Sequence, residues 1–128
     1  GAFPDFTLIP TGLVRFNAVK ETFRFKNIPA DFVEAQRGLR LAEAALEQGY
    51  GLVVLDEVLS LALTGLMQAA ELEALLDVYE GLGRPCELVL TGHQIWPTLE
   101  ARVDLITEMK KRKHYFDQAL KARKGIEF

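Results

Sequence analysis

Two acidic residues stand where an apolar run ends. Gly51-Leu-Val-Val-Leu-Asp-Glu57 holds four consecutive apolar residues, two of them β-branched, followed by Asp56 and Glu57. A run this short and this apolar suits a strand buried on both faces of a parallel sheet. Open α/β sheets place their ligand crevice outside the carboxyl ends of such strands. In nucleotide-binding folds an acid at that edge holds the magnesium ion that bridges phosphates. The pattern is also what a buried strand with two solvated end charges looks like, and on these seven residues alone both readings stay open.

A second such end follows. Glu87-Leu-Val-Leu-Thr91 reads as another strand, closed by Gly92 and His93. Further on, the sequence concentrates positive charge. Lys110, Lys111, Arg112, Lys113, Lys121, Arg123 and Lys124 lie within fifteen residues, and Asp117 is the only acid among them. Basic side chains neutralise phosphate charge, so the segment suits a lip facing a polyphosphate. A solvated basic tail has the same composition.

Helices must present these ends. Pro29, Asp31 and Glu34 give a capping-box-like start. Phe32, Ala35, Leu39, Ala42 and Leu46 recur at steps of three and four, which makes one apolar stripe that Gly49 stops. After Glu57, Val58 to Leu63 is apolar nearly all round and predicts a short buried helix ending near Gly65. A helix over about 69–80 carries Leu72, Leu75, Leu76 and Tyr79 on one face, and a short helical turn spans Pro97 to Arg102. Leu13 to Phe16 and Val103 to Glu108 are further candidate strands. Residues 17–28 have no clear period and read as a loop, in which Phe23 and Phe25 can point the same way if the backbone is extended. Helices alternating with short apolar strands predict an α/β fold with a mostly parallel sheet. With no linker or repeat visible, residues 1–128 read as a single domain.

Composition excludes several classes. Hydrophobic residues make up 49% and charged residues 26%, which is ordinary globular usage. The net charge is -3, and there is no aromatic-basic stacking platform beyond Phe23 to Phe25, so no nucleic acid partner is expected. No apolar stretch reaches the length of a membrane span. Cys86 is the one cysteine; it cannot form an internal disulfide, which fits a reducing, cytoplasmic setting. His93 and His114 do not form a metal-ligand pair by spacing, and Cys86 with His93 lacks an orienting acid.

Three blocks together resemble a known family, the ATP-dependent corrinoid adenosyltransferases of cobalamin biosynthesis. They are Leu52-Val-Val-Leu-Asp-Glu57, Val89-Leu-Thr-Gly92, and the tail from Asp104. That tail contains Lys113-His-Tyr-Phe-Asp117 and ends Lys121-Ala-Arg-Lys-Gly-Ile-Glu-Phe128. The resemblance covers residues 28–128 well and the start poorly. It implies a three-layer sheet of the P-loop nucleotide-binding type and transfer of the 5′-deoxyadenosyl group of ATP to the cobalt of a reduced corrinoid. It also implies Asp56 and Glu57 as a Walker B-type magnesium site. Thr91, Gly92, His93 and Lys113 would lie on the nucleotide-phosphate side, and Phe23 and Phe25 against the corrinoid. A homodimer would be the family's usual state.

Two departures qualify that picture. The sequence holds no G-x-x-x-x-G-K-[ST] loop, so the resemblance implies an N-terminally truncated sheet whose open edge pairs with a second copy or is covered by rearranged N-terminal residues. His93 stands where the family has arginine, and a histidine is fully charged only below its pKa, ordinarily ~6.5. The alternative is a non-catalytic relative that binds a corrinoid or a partner protein through the same crevice.

Overall fold

The computed structural model describes residues 5–114. In chain order the elements are β1 (Phe16–Asn17), β2 (Thr22–Phe23), α1 (Pro29–Leu46), β3 (Leu52–Leu55), α2 (Val58–Leu63), α3 (Ala69–Gly81), β4 (Glu87–Leu90) and α4 (Pro97–Glu100). The fold is mixed α/β. β3 and β4 run parallel, pairing Leu52 with Glu87, Val53 with Leu88, Val54 with Val89 and Leu55 with Leu90. The two helices α2 and α3 lie between them in sequence, as a parallel connection requires.

The core gathers on one side of this pair. Val53 joins Val58 and Leu59 of α2, Leu72, Leu75 and Leu76 of α3, Ala42 and Leu46 of α1, and Met67 and Leu99. Leu55, Leu88 and Leu90 pack against the same cluster. Leu72 and Leu99 are fully buried, each contributing roughly 1.5–3 kcal/mol of transfer free energy. On the other side Leu52, Val54 and Val89 are exposed, the first by 56%. The run 52–55 is therefore buried on one face only, against the expectation of two. The four residues are apolar on both faces, but no described residue covers the second face.

Helix α1 follows its sequence pattern with two changes. Ala35, Ala42 and Leu46 are buried and Leu39 packs beside them, but Phe32 at the first turn is exposed. At the start, Asp31 rather than Glu34 meets the cap: the Ile28 N–H donates to Asp31 Oδ2 at 2.9 Å. Glu34 turns to Arg37 and accepts the Gly12 N–H. Helix α3 spans residues 69–81 as its periodicity predicts, and Tyr79 donates its hydroxyl to the Cys86 carbonyl at 2.7 Å.

The segment read as a loop contains a hairpin. Phe16 pairs with Phe23 and Asn17 with Thr22, and Asn17 Oδ1 accepts the N–H groups of Val19 and Lys20 in the turn. Only Phe16 of the candidate strand over residues 13–16 is in a strand. Arg24 then grips Asp31 through two bonds, Nη1 to Oδ2 at 2.6 Å and Nη2 to Oδ1 at 2.9 Å, and Arg15 Nη2 lies 3.3 Å from Oδ2. This holds the hairpin on the start of α1. The expected strand over 103–108 does not form. Its backbone is irregular and Leu105 is exposed, and none of the described strands pairs with it.

Candidate functional site at the carboxyl edge of the parallel pair

The β3–β4 register, extended by one residue, brings Thr91 opposite Asp56. The ladder itself continues there, since the Thr91 N–H donates to the Leu55 carbonyl at 3.2 Å. The Thr91 hydroxyl then joins both acids. It donates to Asp56 Oδ1 at 2.6 Å and accepts the Glu57 N–H at 2.8 Å. Glu57 has φ +58° and ψ +15°, the left-handed conformation, and it is the residue that caps α2. A non-glycine residue held there costs about 1–2 kcal/mol, and such residues cluster at working sites. The Glu57 carboxylate accepts the Ser60 hydroxyl at 2.8 Å and lies 3.4 Å from His93 Nε2, with both side chains exposed.

Gly92 is required by packing. A Cβ built on it would lie 2.5 Å from Leu59 Cβ and 3.2 Å from Leu59 Cα. The Leu59 N–H donates to the Thr91 carbonyl at 3.2 Å, so the loop after β4 lies directly on the first turn of α2. Beyond His93 the loop is tied to α3. Trp96 Nε1 donates to Glu73 Oε1 at 2.9 Å, and the Thr98 hydroxyl donates to the same oxygen. These two donors, Thr98 first, hold the Glu73 carboxyl below its ordinary range. Arg102 adds an ion pair to Asp77 at 2.8 Å. Ser60, Glu73 and Trp96 are the parts of the site that sequence reading missed. Trp96 alone carried a signal, because a half-buried indole needs an acceptor for its N–H.

The structure brings together Asp56, Glu57, Thr91, Gly92 and His93. Lys113 is exposed in irregular backbone, and none of the bonds of this cluster reaches it. Phe23 and Phe25 pack on each other, ring centroids 4.8 Å apart and planes at 60°, on the hairpin that Arg24 anchors. No described hydrogen bond or ion pair joins that hairpin to the Asp56 cluster. From Tyr115 onward the tail motif lies outside the described residues. Cys86 precedes β4, at the end opposite His93, and burial pushes its thiol pKa up, which disfavours a nucleophilic pair.

The family described as ATP:corrinoid adenosyltransferase BtuR/CobO/CobP matches residues 5–128. The chain belongs to this family. It is 33% identical over 109 residues, 84% of its length, to a corrinoid adenosyltransferase of Pseudomonas aeruginosa, and covers 52% of that protein. It is 29% identical over 100 residues, 77% of its length, to the uncharacterized protein all2391 of Nostoc sp., and covers 26% of it. The chain thus spans about half the length of the first relative and a quarter of the second. No solved structure matches it. No helix among the described residues of this adenosyltransferase-family chain is long and apolar enough to cross a membrane.

Proposed function

We propose that the carboxyl edge of β3 and β4 is the metal-and-triphosphate end of an ATP:corrinoid adenosyltransferase site. The observation that carries this reading is the Asp56–Thr91–Glu57 bridge, which joins two strand ends at a left-handed acid, in a chain of this family. In the reaction, the electron pair of a reduced Co(I) corrinoid forms a bond to C5′ of ATP. The C5′–O bond breaks, and its electrons leave with triphosphate. The cobalt is itself the nucleophile, so the chain has no base to supply. Its work is to orient two substrates and to neutralise the leaving group.

The donor set suits magnesium. Mg²⁺ takes hard oxygen ligands, keeps several waters, and is held in nucleotide sites by one or two carboxylates plus phosphate oxygens. Among the described residues Asp56 Oδ2 and Glu57 Oε1 accept no hydrogen bond, so each acid keeps one oxygen for such an ion. No set of three or more acidic, His or Cys side chains among them would hold a metal without the nucleotide. A bound magnesium would supply positive charge to the triphosphate. Thr91 and Gly92 line this edge, and His93 and Lys113 face the phosphates. Phe23 and Phe25 offer flat apolar faces to the corrinoid.

The same reading gives the chain the P-loop type of three-layer sheet, as one domain. The phosphate-binding glycine loop is absent from the sequence. A second copy pairs along the open edge of the sheet, or the N-terminal residues rearrange to cover that edge. The setting is the cytoplasm, where a lone thiol such as Cys86 stays reduced.

Calorimetric titration of the 128-residue chain with Mg²⁺–ATP, repeated on Asp56→Ala, tests the reading. Saturable binding by the parent chain that the substitution weakens at least tenfold is expected. Absence of binding by the parent chain would overturn the assignment of a nucleotide site to this edge and leave a corrinoid- or protein-binding relative.

A further inference from the structure

Every polar group of Thr91 is engaged across the junction between β3 and α2. Its N–H goes to the Leu55 carbonyl and its carbonyl accepts the Leu59 N–H. Its hydroxyl has one proton, and a carboxylate can only accept, so the hydroxyl spends its one donated bond on Asp56 Oδ1. The hydroxyl oxygen takes the Glu57 N–H. Thr91 therefore has no donor left for a phosphate, although it stands at the phosphate edge.

We propose that Thr91 is a positioning residue: through one hydroxyl it orients the Asp56 carboxylate and locks the left-handed backbone of Glu57, so that the free oxygens of both acids serve one cation. The inference rests on the reading that these two acids hold a nucleotide-bound metal. It assigns Thr91 a role through its neighbours rather than on the phosphates. The bond to Asp56 leaves Oδ2 free, and the bond to the Glu57 N–H fixes a backbone that would otherwise relax out of the left-handed region. Gly92 serves the same device, because only a residue without Cβ lets the chain after Thr91 lie on Leu59.

Thr91→Val keeps the shape and removes both hydroxyl bonds; Thr91→Ser keeps the hydroxyl. The probe is Mn²⁺–ATP followed by electron paramagnetic resonance, with amide hydrogen exchange at Glu57 followed by NMR. Partners that orient metal ligands are worth about 10–100-fold in affinity. The expected result is that Thr91→Val weakens Mn²⁺–ATP at least about tenfold and speeds exchange at Glu57, while Thr91→Ser stays within about threefold of the parent. Should Thr91→Val fail to fold, Thr91→Ala carries the same expectation. Parent-like binding by Thr91→Val, with Asp56→Ala not binding, would overturn the positioning role and leave the metal site standing. Absence of Mn²⁺–ATP binding by the parent chain would overturn both.

Discussion

Asp31 and Asp56 are both aspartates tied to a strand or hairpin, and their surroundings could hardly differ more. Asp31 is 4% exposed and fully enclosed by donors: two bonds from Arg24, one from the Ile28 N–H, and Arg15 beside it. The Arg24 bond first, and the Ile28 N–H second, hold its carboxyl well below the usual carboxylate range. Asp56 is exposed, takes a single donated proton from Thr91, and keeps an oxygen open. The protein satisfies one acid completely and holds the other by one side. A closed acid fixes structure. An open acid held in a defined orientation is what a ligand can use.

The sharpest way to break this comparison is to neutralise each acid in turn. Asp31→Asn should lower the melting temperature by many degrees, since it leaves Arg24 and Arg15 facing a group that cannot answer their charge. Asp56→Asn should leave it nearly unchanged and lose Mg²⁺–ATP binding in calorimetry. Acid titration sharpens the point. A carboxyl whose folded pKa is depressed stabilises the fold above its unfolded value near ~3.9 and loses that contribution as pH falls below it. The melting-temperature gap between parent and Asp31→Asn should therefore be constant above about pH 5 and shrink steadily as pH falls below about 4. A gap that does not shrink over that range would mean that charge at Asp31 is not what holds the hairpin.

A smaller effect is expected at Gly92. Gly92→Ala sets a Cβ against Leu59 Cβ and Cα, so the loop or the start of α2 must move. Overpacking of this kind costs about 1–3 kcal/mol, measurable by chemical denaturation. Leu59→Ala should not rescue it, because alanine removes only the Cγ contact and keeps Cβ, the closest of the three atoms, and Cα. The movement should also weaken the Thr91 bridge, so nucleotide binding should fall further than stability alone accounts for.

Much of this was legible in the sequence, and the reasons it was not elsewhere are physical. Asp56, Glu57, Thr91 and Gly92 stand out because short apolar runs end at them, and the parallel register brings those ends together. Helices α1 and α3 follow from their apolar spacing. The open face of β3 did not, since four apolar residues in a row look the same whether one side is covered or two. The hairpin was missed because two-residue strands carry no period, and its turn is made by an Asn17 side chain rather than by glycine. The strand expected at 103–108 rested on burial of Leu105 and Ile106, but both are exposed, and an apolar pair alone does not make a strand. Glu73 anchors the loop after β4 from a helix surface where any acid reads as solvated.

A small stability effect should also come from Glu57→Gly, and its smallness is the point. A left-handed residue other than glycine costs about 1–2 kcal/mol, which glycine removes. Glycine gives back about 0.5–1 kcal/mol by widening the unfolded ensemble. The lost contacts to Ser60 and His93 are exposed and worth little. The net change in unfolding free energy should thus lie between zero and about 1.5 kcal/mol in favour of the variant, while the free carboxylate oxygen and with it Mg²⁺–ATP binding are gone. A variant that is as stable as the parent and does not bind would show that the left-handed acid at Glu57 is kept for its ligand. A strongly destabilised variant would place Glu57 beside Asp31 as a structural acid, and the distinction between closed and open acids would collapse.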